Sequence, residues 1–160
     1  MDVEALLARL QVLEDREAIR ELKARYCDIC DDGHDPDRIA EIFAPDGVWE
    51  SERHGRFVGP EEIKAQFRRF GRDIAFSQHM VTNPVITVDG DTATGRWYFL
   101  SPMEFRGRPR WSFVRYDERY VRLSGTWLYQ HLHVSLRLDA PHVGGWSDAT
   151  ASASAPAPAS

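Results

Sequence analysis

Cysteine is scarce in this chain, and the two that occur, Cys27 and Cys30, cannot supply a disulfide framework or a four-ligand zinc site. Their Cys-x-x-Cys spacing lies within a helical pattern and no strand precedes it, so they read as small core-side residues and not as a thioredoxin-like pair. No apolar run approaches the roughly 20 residues that cross a bilayer. The acidic start Met1-Asp2-Val3-Glu4-Ala5 also lacks the basic region of a signal peptide, so a cytoplasmic protein with no membrane partner is expected. The 20 lysines and arginines are dispersed and the net charge is −5. Without a basic block to follow a phosphate backbone, nucleic acid is not an expected partner. Glycine-rich phosphate loops and Gly-x-Ser-x-Gly elbows are also missing, which argues against nucleotide chemistry and acyl transfer.

At 160 residues and 42% hydrophobic content, the chain suits one core. Leu6, Leu10 and Leu13, then Ile19, Leu22, Tyr26 and Ile29, recur at helical spacing. They form one long helix, or two with Asp15 capping the second, ending near Asp32-Gly33. Pro36 opens a short helix through Phe43, and Pro45-Asp46-Gly47 turns the chain into a strand at Val48-Trp49. Pro60, followed by Glu61 and Glu62, starts a helix with Ile63, Phe67 and Phe70 on its apolar face. From about Ser77 the period becomes two. Asp89-Gly90 and Ser124-Gly125 separate strand-like runs, which predicts an antiparallel meander after the helices and hence an α+β domain. Residues 1–148 are assigned to that domain, and the Ala/Ser/Pro-rich residues 149–160 to a disordered tail. His142-Val143-Gly144-Gly145-Trp146 could form a flexible tail or a lid over a pocket, with Trp146 as plug.

The residues that could carry chemistry are few. His79 opens a strand beside Met80 and Val81, and Asp31 sits at a helix end. A carboxylate accepting the Nδ1–H of an imidazole fixes its tautomer and leaves Nε2 free as a base. Tyr26, five residues before Asp31, can reach the same cavity and offers a hydroxyl donor. Trp49, Phe76, Trp97 and Phe99 are the expected apolar lining. His131 and His133 share one strand face, as pocket-rim groups, as outer-face polar groups, or as metal ligands if a carboxylate joined them; a metal is the least favoured reading.

Together these residues have a familiar arrangement. Asp15-Arg16-Glu17-Ala18-Ile19-Arg20-Glu21-Leu22, then Tyr26, Asp31, Phe43-Ala44-Pro45-Asp46-Gly47, Gly59-Pro60-Glu61-Glu62-Ile63, His79-Met80 and Asn83 resemble the SnoaL-like branch of the nuclear-transport-factor-2-like superfamily. The resemblance spans roughly residues 12–138. It implies a cone-shaped, cystatin-like α+β fold, with a bent antiparallel sheet packed on about three helices around an apolar pocket. It is strongest toward scytalone dehydratase, bile-acid dehydratase and hexachlorocyclohexane dehydrochlorinase, which use an Asp–His dyad without a cofactor or metal. The resemblance implies Asp31 and His79 as the dyad, Tyr26 as the polar helix residue and Trp49 near the mouth. For the late-strand polar contact, Glu104 or His133 are candidates, with Leu132 at the matching position. The expected activity is a cofactor-independent lyase, a dehydratase or related β-eliminating enzyme acting on a small hydrophobic molecule. The alternatives are a ketosteroid-isomerase-like or polyketide-cyclase-like enzyme, or a non-catalytic ligand binder. A homodimer or homotrimer is expected, as is common for domains of this type.

Overall fold

The computed structural model describes residues 2–145. The expected tail at 149–160 and the proposed plug Trp146 lie outside the described residues. The first element is a single helix, α1 (Val3–Asp31), capped by the Asp2 side chain, which accepts from the Glu4 N–H. Asp15 does not cap a second helix. It lies buried in the middle of α1 and accepts from the Arg122 guanidinium at 2.6 Å and the Trp127 indole at 3.0 Å. These two donors come from the far sheet, so Asp15 fastens the helix to it.

Below Asp15 the buried positions Ile19, Leu22, Lys23, Tyr26, Cys27, Ile29 and Cys30 recur every three or four residues, the spacing of one helix face. Above it, Leu6, Leu10 and Leu13 keep the same spacing but remain exposed. Cys27 and Cys30 are buried free thiols.

Helix α2 (Pro36–Ala40) starts at Pro36, with the Asp35 carboxylate accepting from the N–H groups of Asp37 and Arg38. It is shorter than expected, because Phe43 already belongs to strand β1 (Phe43–Ser51). A register shift between Phe43 and Val48 absorbs the Pro-Asp-Gly turn within the strand. Gly47 is required there, since a Cβ would stand 2.8 Å from the Ala44 carbonyl oxygen and 2.9 Å from that of Tyr129. Strand β2 (Gly55–Val58) leads into α3 (Gly59–Asp73), where Ile63, Gln66, Phe67 and Phe70 form the buried face.

Four strands follow: β3 (Ile74–Ser77), β4 (Met80–Asp89), β5 (Thr92–Phe105) and β6 (Arg108–Leu123), and then β7 (Thr126–Pro141) closes the sheet. The order is β2-β1-β7-β6-β5-β3, with β4 also paired to β5. The expected wholly antiparallel sheet is in fact mixed, because β1 runs parallel to β7, from Val48 beside His131 to Ser51 beside Val134. This pairing brings the first strand against the last and curls the sheet around α1 and α3. The core lies between them, where Ile19, Ile29, Ile39, Ile63, Phe67 and Leu132 are almost fully buried, each contributing about 1.5–3 kcal/mol.

Candidate active site

Helix α1 ends at Asp31, and the chain then turns through two left-handed residues, Gly33 at φ +88° and His34 at φ +61°. The β3–β4 junction passes beside this helix end, and Asp31 fastens it. Its Oδ1 accepts from the Ser77 hydroxyl at 3.1 Å and lies 2.6 Å from His79 Nδ1. Its Oδ2 accepts from the His79 backbone N–H at 2.7 Å and the Gln78 amide at 3.3 Å. Burial by itself raises the Asp31 carboxyl, but the hydrogen bonds and charge of His79, with the Ser77 hydroxyl, outweigh it and hold the group below its ordinary value. An ionised Asp31 therefore accepts the Nδ1–H of His79. Burial drives the His79 pKa down; Asp31 opposes this and the nearby Lys23 charge adds to it, with a net lowering. At neutral pH the ring is uncharged, with Nε2 as its basic nitrogen.

His79 lines a cavity of about 110 Å³. Trp49, Phe67, Phe70, Phe99 and Met103 supply much of its apolar wall, and the Phe99 ring lies 4.7 Å from the imidazole, centroid to centroid. Tyr26 also lines the cavity, its ring 6.3 Å from that of His79. The Tyr26 hydroxyl accepts from the Trp49 indole N–H at 3.0 Å. Burial, with Cys30 and Tyr116 adjacent, raises its pKa well above the ordinary value, so it remains a protonated donor. Beneath these groups Lys23 and Glu118, both without solvent exposure, pair at 2.6 Å. The Lys23 ammonium stands 3.3 Å from the centroid of the Tyr116 ring, which lines the cavity.

The structure brings Asp31, His79, Tyr26, Trp49 and Phe99 together around this cavity, but not the other expected lining residues. Phe76 is 50% exposed, because alternation along β3 turns Ser77 inward to Asp31 and its neighbour outward. Trp97 is buried away from the cavity, its indole N–H donating to the Tyr120 hydroxyl at 3.1 Å. His133 lies on the opposite sheet face with His131, while Leu132 between them points into the core. His131 there pairs with Glu50 at 2.9 Å, yet no set of three ligating side chains able to hold a metal occurs among the described residues.

Sequence reasoning missed three groups. Ser77 and Gln78 were legible only as neighbours of His79 in a Ser-Gln-His run. Arg53 and Arg110, both lining the cavity, share Asp139 at 2.5 and 2.6 Å, joining a loop to two late strands that no local signal connects. His34 also lines the cavity; its only sequence signal is its place directly after the helix-ending glycine.

With this geometry in place, comparison with known proteins defines the class. Residues 11–133 match the SnoaL-like domain model, and the chain belongs to that family. An NTF2-like protein with a cystatin-like fold from Novosphingobium aromaticivorans is 31% identical, with 84% of this chain and 90% of that one covered and a TM-score of 0.68. The fold is also shared with the LinA-type3 hexachlorocyclohexane dehydrochlorinase of Novosphingobium barchaimii (23% identity, 83% and 93% coverage, TM-score 0.76). A candidate scytalone dehydratase from Novosphingobium aromaticivorans is similar too (18% identity, 81% and 89% coverage, TM-score 0.74).

Proposed function

We propose that this protein is a cofactor-independent lyase that eliminates water or a related leaving group from a small hydrophobic substrate. The observation that carries this reading is the 2.6 Å contact between Asp31 and His79 Nδ1 at the wall of an apolar cavity. His79 Nε2 takes a proton from carbon. The electron pair of that C–H bond becomes the new C=C π bond, and the leaving group departs from the adjacent carbon with its own bonding pair. His79 returns the proton it took to a departing hydroxide, which leaves as water; a halide leaves as the anion, and His79 then releases the proton to solvent. Tyr26, its oxygen engaged by Trp49, donates its hydroxyl proton in a hydrogen bond to the developing negative charge. The folds shared with a dehydrochlorinase and a candidate scytalone dehydratase support the reaction class. The working form is proposed to be a homodimer or homotrimer, in keeping with the exposed leucines of α1; sedimentation at a monomer mass would contradict it.

The proton-transfer step is tested in D₂O with small aromatic ketones. Wild type is expected to exchange the hydrogens next to the carbonyl, with the rate falling on acidification below the ordinary histidine range as His79 is protonated. His79→Ala is expected to slow the exchange by about 10²–10⁴-fold. Undiminished exchange in that variant, or none in wild type, contradicts the reading. For elimination itself, a converted substrate must lose the mass of its leaving group; unchanged mass assigns an isomerase or cyclase instead.

A further inference from the structure

His34 is a polar ring of the cavity with no role in the proton transfer just described. His34 is 4% exposed, lines the cavity, and is held by Phe67 and Phe70 with ring centroids 6.0 and 5.7 Å away. Its left-handed backbone, anchored by a hydrogen bond from its N–H to the Ile29 carbonyl at 3.0 Å, turns the side chain in from the end of α1. Its Nδ1 is buried and has no hydrogen-bond partner. Burying an N–H without an acceptor is unfavourable, so the proton of a neutral ring belongs on Nε2. The neutral state follows from its surroundings, as burial, and then the neighbouring His79, push the His34 pKa down to about 4, with Asp31 in partial opposition.

We propose that His34 is a substrate-binding residue, an uncharged Nε2–H donor that recognises the carbonyl oxygen of an enolisable ketone or related carbonyl compound. This deepens the reading above and rests on His79 as the base. The two imidazoles stand 6.4 Å apart, centroid to centroid, in one cavity. With donor and base each about 3 Å from its target, a ligand must present its acceptor and its acidic C–H within a few bonds of each other, as in H–C–C=O. Arg53 and Arg110 at the cavity wall share the single carboxylate of Asp139, and Lys23 pairs with Glu118 beneath the cavity. Tyr26, its oxygen engaged by Trp49, directs its proton to the departing group as proposed above, and His34 supplies a second donor, to the carbonyl oxygen. His34 and His79 are thus opposite tautomers of the same ring, one a donor and one a base.

Acetophenone and ethylbenzene differ little in shape, but only the ketone offers an oxygen and an enolisable methyl group. Wild type is expected to bind acetophenone roughly tenfold more tightly than ethylbenzene, and His34→Phe to lose that preference while keeping its affinity for the hydrocarbon. An unchanged preference in a folded His34→Phe, or no binding of the ketone by wild type, would overturn the proposal. The second measurement needs neither ligand nor variant: ¹⁵N spectra of wild type should show His34 as the neutral Nε2–H tautomer down to about pH 4. An Nδ1–H tautomer, or protonation near pH 6.5, would equally overturn it. Failure of the base assignment has a separate signature, since Asp31→Asn is expected to slow deuterium exchange into bound acetophenone and leave the ketone preference intact.

Discussion

Two acid–base pairs, one fully buried and one partly buried, lie close together in this molecule, yet they have opposite characters. Lys23 and Glu118 are closed on every side. The ammonium meets one Glu118 oxygen and the face of Tyr116, and the Tyr120 hydroxyl, itself accepting from Trp97, donates to the other. Asp31 is equally saturated, but its partner is not: Nδ1 of His79 is taken, while the ring lines the cavity and retains a basic Nε2. Saturation on both sides makes a structural pair, and saturation of the carboxylate alone leaves the second ring nitrogen available, as the proposed base requires.

The largest expected effects separate the pairs by what they damage. His79→Ala is expected to slow proton exchange by about 10²–10⁴-fold, with only a small change in the denaturant midpoint. Removing one partner of the closed pair does the reverse. Lys23→Met or Glu118→Leu alone is expected to destabilise the fold by about 3–5 kcal/mol, because an uncompensated charge remains buried. The double variant should recover most of that loss, as measured by urea unfolding. If the single variants unfold like wild type, the contrast fails.

Acid sharpens the comparison next. His34 has a folded pKa of about 4, below the ordinary 6.5, so its contribution to stability is fully present above pH 6.5 and disappears as pH falls toward 4. That loss amounts to about 3 kcal/mol, and the lowered His79 pKa adds to it in the same direction. Asp31, also held low, loses its contribution only below the ordinary carboxylate range. Urea midpoints should therefore fall between pH 6.5 and 4, and less so in His34→Phe; a flat profile contradicts this assignment. A smaller effect belongs to Gly95, where a Cβ would stand 2.6 Å from the Tyr120 hydroxyl oxygen. Gly95→Ala should displace that ring from Glu118 and destabilise by about 1–3 kcal/mol, again read from urea unfolding.

Local signals made much of the architecture legible. The periodic apolar residues of α1 and α3, Pro36 and Pro60 at helix starts, and the Asp89-Gly90 turn between β4 and β5 all lie where hydrophobic spacing and turn chemistry put them. The parallel β1–β7 pairing was not legible, because it joins strands about 80 residues apart and no turn residue marks it. The same limit governs the site. Asp31 and His79 were nameable from resemblance to a family. Phe76 and His133 were misplaced because strand alternation shifts with a single residue, and only the burial of Ser77 and Leu132 fixes which face is inside. His34 lacked any periodic pattern, since its orientation comes from two consecutive left-handed residues.

The central claim is that an ionised Asp31 keeps the His79 proton on Nδ1 and leaves Nε2 as the base. The ¹⁵N spectrum of His79 at pH 7 tests this most directly. The expected result is a neutral ring with Nδ1 protonated, Nε2 bare, and that preference weakened in Asp31→Asn. A His79 found protonated on Nε2, or as the cation at neutral pH, would contradict it.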